Sequence, residues 1–452
     1  MSESSITQKH RRKVWITSSD VASKVCDLLP SNEGRQSLVS SLIQAYRLDC
    51  KCENVIPIYK AKTSDLEAYH DKRFLKCLLR KRSDIDSSSP HYGLLRHILR
   101  AQDLQQVFRT KAVLQQSNIE HNLNVEGDHR EDSDCGEEIQ EIGDLRNEEQ
   151  VYSDDEDVDD QEECDKYGLL FDCPVFPFMA DYVRFTAASS ILSAEKLVKE
   201  RSIDVQNVVI NWYGGRHHCM KSKAAGFCYV NDVILAISHL RREFGKVFYL
   251  DFDLHHGDGV ENGYKFSRNV MTCSIHRFDL GFYPGTGSHE FFLPTAINIP
   301  TRRGLSDSSL LYITKETILP LIKSFSPGVI VIQAGCDGLG TDDHRQWNMT
   351  IRGYSKVIQL VIDEFSPAPV MILGGGGYNF TETAKCWAFI TKEVIGIKEE
   401  WDLIPEHELL DEYEIDGFQF WTANNTRKKN IKDENDDIYL QKLTTYINER
   451  YL

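Results

Sequence analysis

The chain has 452 residues and a mass of 51.9 kDa, with 41% hydrophobic residues, enough for one large or two ordinary globular domains and too apolar for disorder throughout. It holds no run of about 18 apolar residues to span a bilayer, and no apolar stretch follows the basic cluster in MSESSITQKHRRKVW, so neither a transmembrane helix nor a secretory leader is expected and the protein should be intracellular. The formal charge of −17 is local: residues 120 to 166 hold 21 Asp or Glu against Arg130, Arg146 and Lys166, and the remainder is nearly neutral.

In chain order, residues 1 to 13 read as a disordered basic N-terminus, where Lys9-His10-Arg11-Arg12-Lys13 is either a nuclear import signal or solvated surface. A single domain is expected over 14 to 425, interrupted at about 120 to 166 by the acidic block. That block has too few aromatics to offset its ordering entropy and reads as a disordered insertion, either a plain linker or an interaction tail. Ser153 before Asp154-Asp155-Glu156 is a candidate phosphorylation site. From about 205 onward, β-branched runs at 208–213, 247–252, 270–275, 328–333 and 369–373 alternate with segments at 229–243, 307–325, 351–365 and 382–395 whose apolar residues recur at three- and four-residue spacing. This is the pattern of a parallel sheet with crossover helices. Residues 426 to 452 read as a C-terminal tail that can be helical, and Arg427-Lys428-Lys429 carries the same import-or-surface ambiguity. The 12 cysteines include no CxxC pair, so they read as reduced thiols and not as a zinc finger or disulfide framework.

Each strand candidate ends in glycines or ligand-type side chains: Gly214-Gly215-Arg216-His217-His218, Asp253 to Asp258, Ser274-Ile275-His276, Gly335-Cys336-Asp337, and Gly374 to Gly377 followed by Tyr378. Ligands of open parallel sheets bind outside the carboxyl ends of the strands, so the five loops are expected to converge on one crevice. Asp253 and His255 are two apart at the end of an extended run, leave it on one face and can meet one metal ion. With Asp337 they make one histidine and two carboxylates, the open donor set of a catalytic zinc. Any of the three alone is more often a core residue; it is their joint placement that points to a site. His217 and His218 sit on a glycine loop within reach of such an ion's water and read as acid and base. Asp251 and Asp258 can each accept the distal N–H of one histidine, which fixes its tautomer and raises its basicity. Tyr378 reads either as a phenol donor to a developing oxyanion or as a surface tyrosine on a glycine turn. The inventory is that of metal-assisted amide hydrolysis, and neither a GxxxxGK[ST] phosphate loop nor a GxSxG elbow competes with it.

The segments NWYGGRHHCMKSKAAGFCYVND (211–232), YLDFDLHHGDGVE (249–261), FYPGTGS (282–288), AGCDGL (334–339) and ILGGGGYN (372–379) closely resemble the motifs of class I zinc-dependent histone deacetylases. The resemblance covers residues 14 to about 80 and 167 to about 400, and within the class it is nearest the fungal Hos-type branch and the vertebrate members that work without an obligate corepressor. It implies an α/β, arginase/deacetylase-like fold, a central eight-stranded parallel sheet with helices on both faces. It implies Asp253, His255 and Asp337 as ligands of one catalytic zinc ion, His217 and His218 as the histidine pair with His218 the general base, and Tyr378 as the oxyanion tyrosine. It also implies Asp172 as a rim aspartate holding the substrate backbone, and Gly226, Phe227 and Tyr283 as walls of a tunnel around the lysine stem. Arg35 would lie near an internal acetate-release channel, and Asp251, Asp253, His255 and Ser274 around a structural potassium ion.

Against the family pattern, Tyr283 replaces a tunnel phenylalanine and His344 stands where the rim usually carries Leu or Met. Asp343 and Thr381 replace two arginines that bind inositol phosphate in corepressor-dependent members, so that ligand is not expected. The loop after FYPGTG is shortened to SHEFFLPTA, which puts a second potassium ion in doubt. The expected function is zinc-dependent hydrolysis of the acetyl amide of N6-acetyl-lysine in proteins, releasing acetate, with a role as a chromatin and transcription regulator. The substrate would be a histone tail or another nuclear protein such as a cohesin subunit, met in the nucleus, with the cytoplasm left open. One alternative is an acetyl-lysine-binding pseudoenzyme or chromatin scaffold, against which the complete set of site residues weighs. Another is an acetylpolyamine amidohydrolase, against which Asp172 weighs, since a polyamine offers no backbone amides. No nucleic-acid motif and no membrane partner are expected.

Overall fold

The computed structural model of the protein describes residues 11–80, 160–290, 292–426 and 429–452. Ser153, Arg427, Lys428 and the acidic block up to 159 lie outside the described residues. Eight strands form one sheet in the order β2-β1-β3-β8-β7-β4-β5-β6. They are β1 (Arg11–Ser18), β2 (Asn54–Pro57), β3 (Val205–Asn211), β4 (Val247–Asp251), β5 (Val270–Arg277), β6 (Ala296–Thr301), β7 (Val329–Gln333) and β8 (Val370–Leu373), and every pair is parallel.

The continuous apolar runs of β3, β4, β7 and β8 arise because both faces of the sheet are covered. In β7, Ile330 and Ile332 join one buried cluster while Val329 and Val331 join the other. The same split sends Ile372 of β8 to one side and Met371 and Leu373 to the other. Helices supply the covering layers. In helix Ile351–Glu364 the buried residues Ile351, Tyr354, Val357, Ile358, Val361 and Ile362 fall at three- and four-residue spacing along one stripe. Helix Phe380–Ile395 starts where the Asn379 side chain accepts the Glu382 N–H and stops at Gly396, whose φ of 88° is the left-handed conformation that ends helices.

Three expected boundaries change. β1 begins at Arg11, so residues 11 to 13 belong to the sheet, with Arg12 in register with Gln206. The strand tolerates that arginine because its guanidinium bonds the Gln206 side chain at 2.9 Å and Asp363 at 2.5 Å. Asp160–Lys166, the end of the acidic block, is helical. Cys164 and Tyr167 are buried there, Tyr167 with its ring 5.8 Å from Phe74, and this burial offsets the cost of ordering. The C-terminal segment holds helix Asp437–Tyr451, whose Leu440, Leu443 and Ile447 enter the main core, while Asp433 accepts from Ser306 and Ser309. The domain thus continues past residue 425.

Candidate active site

The loops after β3, β4, β7 and β8 meet at the carboxyl edge of the sheet. β4 ends at Asp251 and β7 at Gln333, so Asp253, His255 and Asp337 stand on the loops beyond the strands and not on the strands themselves. One ligand atom from each lies within 4.8 Å of the others, and among the described residues this is the cluster of acidic, histidine or cysteine side chains fit to hold a metal ion. His255 Nδ1 lies 3.2 Å from Asp253 Oδ1 and 3.0 Å from Asp337 Oδ2. Each carboxylate is oriented from behind: Asp253 Oδ2 accepts from Gln333 Nε2 at 2.8 Å and from the Gly376 N–H at 2.9 Å, and Asp337 Oδ1 accepts from the Leu254 N–H at 3.0 Å. A side chain at Gly376 would place its Cβ 2.4 Å from Asp337 Oδ2, so only glycine permits this approach.

Two buried carboxylates facing one imidazole leave the cluster short of positive charge. Burial and the neighbouring Asp253 push the Asp337 carboxyl up; burial acts likewise on Asp253, but His217 and His255 outweigh it and hold that carboxyl low. A divalent cation would relieve the crowding of these two buried carboxylates, and one histidine with two carboxylates is a donor set that suits such an ion.

The histidine pair is built as the sequence suggests. His217 Nδ1 lies 2.9 Å from Asp251 Oδ2, and His218 Nδ1 lies 2.7 Å from Asp258 Oδ1, the two rings 3.9 Å apart. Their environments separate them. Burial lowers His217, but Asp251 and Asp253 overcome it and hold the imidazole up at about 9. Burial and the adjacent His217 push His218 down to about 4, even with Asp258 opposing. The Tyr378 ring lies 5.8 Å from Phe227 and 4.7 Å from His344, and burial, then Asp337 and Asp253, raise its phenol well above the usual range, so it stays protonated.

Gly226 and Phe227 adopt positive φ, 55° and 62°. A Cβ at Gly226 would lie 2.3 Å from His218 Cδ2 and 2.8 Å from the Tyr283 hydroxyl, so the backbone there runs close against both side chains. The Tyr283 ring stands edge-on to His218, centroids 5.1 Å apart, and is 41% exposed. Asp172 accepts the Gly226 N–H at 2.6 Å, so its carboxylate is tied to the Gly226-Phe227 segment. Asp251 and Ser274 are register partners across β4 and β5. His344 is held by Asp342 at 3.0 Å, its ring 5.2 Å from His255.

Gln333 and Asp342, which orient the site loops, escaped the sequence reading. Gln333 orients Asp253 and accepts the Gly335 N–H, and its one signal was a polar side chain closing an apolar strand. Asp342, 1% exposed, accepts the N–H groups of Tyr378, Asn379 and His344, and nothing in the sequence separates it from Asp343. Arg35 donates to the Gly377 carbonyl at 2.9 Å, one residue before Tyr378.

The family model described as the histone deacetylase domain matches residues 29–394. The chain is 30% identical to histone deacetylase HOS1 of Saccharomyces cerevisiae, with 94% of this chain and 97% of that protein covered. It is 38% identical to histone deacetylase 8 of Xenopus laevis over 58% of this chain and 79% of the relative, and 33% identical to histone deacetylase 1 of Homo sapiens over 62% and 56%.

Proposed function

We propose, from the premise that the chain belongs to the histone deacetylase family and is a hydrolase of acetyl-lysine amides, that it works as a zinc enzyme on nuclear proteins. The observation that carries this reading is the joint arrangement of the Asp253, His255 and Asp337 donors with two separately tuned histidine–carboxylate pairs. A zinc ion held by the three donors would supply Lewis acidity to the acetyl carbonyl and the attacking water.

The chain's own groups do the rest. His218, kept neutral by burial and His217, takes the water proton at Nε2 while its Nδ1 is held by Asp258. Tyr378 donates its O–H to the carbonyl oxygen as charge develops there. His218 then returns a proton to the lysine nitrogen, and acetate and free lysine separate. Gly226, Phe227 and Tyr283 wall the methylene stem, and Asp172 accepts backbone N–H groups of a peptide at the rim. That last contact favours a protein over a polyamine. We propose further that Asp251, Asp253, His255 and Ser274 would hold one structural potassium ion, a reading that the register pairing of Asp251 with Ser274 supports.

The test is to incubate purified chain with an acetyl-lysine peptide and follow acetate and free peptide, with bound metal measured in parallel. Stoichiometric acetate with one zinc per chain supports the reading. Tight peptide binding without acetate would replace it with an acetyl-lysine reader, and preferential attack on acetylpolyamines would change the substrate. Histone tails and a cohesin subunit remain the proposed substrates, resolved by acetyl-proteomics of cells lacking the gene.

Inositol tetra- and hexaphosphate should not raise activity. Thr381 lines a cavity of about 560 Å³ together with Arg345, Lys429, Glu382 and Asp416, the two carboxylates being paired with the buried Lys385, and Asp343 is exposed nearby in sequence. With Thr381 and Asp343 in place of the two arginines of the family pattern, a highly anionic ligand finds no bidentate phosphate contact at those positions. An activity titration at low ionic strength, where screening is weakest, checks this, and saturable activation would overturn it.

A further inference from the structure

Residues 219–231 carry Gly226 and Phe227, yet the segment is neither helix nor strand; two isolated bridges, Met220 to Lys223 and Ala225 to Cys228, are its own ladder contacts. Its shape therefore depends on what grips it from outside. One buried imidazole reaches both ends. His70 lies in the turn between helices Thr63–Glu67 and Lys72–Leu78 and is 2% exposed. Its Nδ1 is 3.2 Å from the Lys221 carbonyl, and the Asn231 N–H donates to its Nε2 at 3.0 Å. The second bond assigns the tautomer, because a ring nitrogen that accepts carries no proton, so Nδ1–H donates to Lys221. Burial pushes the ring down to about 4 although the Lys221 and Met220 backbone bonds oppose it, so it is neutral at ordinary pH.

Asn231 extends the clamp. Its side chain donates to the Cys219 carbonyl at 2.8 Å and accepts the Ile234 N–H at 3.0 Å, which caps helix Asp232–Phe244. The outer side of the segment is held separately, by Asp172 at Gly226 and by the Tyr167 carbonyl, which accepts the Ala224 N–H at 2.9 Å.

We propose that His70 is a positioning residue for the tunnel: by bridging residues 221 and 231 it sets where Gly226 and Phe227 stand against the lysine stem. The inference rests on the tunnel reading of the preceding section. The metal donors and Tyr378 are carried on the loops after β4, β7 and β8, outside this clamp. Its loss should therefore appear in substrate affinity more than in turnover.

His70→Phe keeps a ring against Tyr69 and Phe74, whose centroids are 4.8 and 5.6 Å away, but neither donates nor accepts. His70→Gln can do both. On an acetyl-lysine peptide, His70→Phe should raise KM about tenfold, the scale of one buried amide left without its acceptor, with kcat changed less than about threefold and bound metal unchanged. His70→Gln should recover most of the KM. Should His70→Phe fail to fold, His70→Asn, which can donate to Lys221 but cannot reach Asn231, takes its place with the same KM rise expected. An unchanged KM, a loss confined to kcat, or a glutamine variant as impaired as phenylalanine would overturn the role of His70. Wild-type chain inactive on the peptide would instead overturn the deacetylase reading itself.

Discussion

Tyr378→Phe is expected to slow turnover about 100-fold or more while bound metal and substrate affinity hold, the scale of one lost oxyanion donor, or about 2.7 kcal/mol of barrier. The substitution is clean because the ring is held by its surroundings. Phe227 and His344 pack against it, and the backbone on either side is tied by Asp342, which takes the Tyr378 and Asn379 N–H groups at 2.7 and 3.3 Å, and by Arg35 at Gly377. Phenylalanine therefore keeps the packing and loses the proton. Burial raises that phenol well above its ordinary range, so in the wild type the donor is present at neutral pH. An interaction made only as the carbonyl oxygen gains charge lowers kcat and kcat/KM together when removed. The measurement is kcat on an acetyl-lysine peptide, with metal content and competitive-inhibitor affinity as controls, and an unchanged kcat would remove Tyr378 from the mechanism.

The sequence shows the centre of this molecule more clearly than its edges, for a physical reason. β3, β4, β7 and β8 are buried on both faces, so each carries a run of three or more consecutive apolar residues that stands out. β1 opens with Arg11-Arg12-Lys13, β2 has four residues, and β6 contains Asn298 and Pro300, so none reads as an apolar run. The eight-strand count came from the family resemblance, not from periodicity. Asp160–Lys166 was hidden because six of its seven residues, DQEECDK, are polar or charged; the burial that orders the segment is that of Cys164 and of Tyr167, whose ring meets Phe74 from another part of the chain.

The site shows the same division. Residues that carry chemistry announce themselves as His, Asp and Tyr after strands, and the geometry brings the expected metal donors and histidine–carboxylate pairs together. Residues that only orient them are anonymous. Gln333, Asp342 and His70 act through hydrogen bonds to backbone or carboxylate, and a side chain's partner across a fold is not written in its own neighbourhood. Tyr283 was visible as a departure from the family, yet its meaning needed the 2.8 Å approach to the space above Gly226.

Asp172→Ala should lower kcat/KM for an acetyl-lysine peptide about 30-fold, roughly 2 kcal/mol, and for a small acetyl-lysine analogue without flanking amides much less. The carboxylate sits at an exposed turn: Phe171 before it is 93% exposed with φ of 52°, a conformation that costs a bulky residue energy and that the surroundings must hold. The structure adds a complication that the comparison of substrates resolves. Asp172 Oδ2 already accepts the Gly226 N–H at 2.6 Å, so alanine also loosens the tunnel wall. On the proposed tunnel reading both substrates would thread that wall and bear the same loss, whereas the peptide alone offers backbone N–H groups to the carboxylate. The ratio of the two effects isolates the contact with the substrate backbone. Equal losses would mean that Asp172 acts solely through Gly226, as a support of the wall, and the preference for peptides over polyamines would then need another source on the rim.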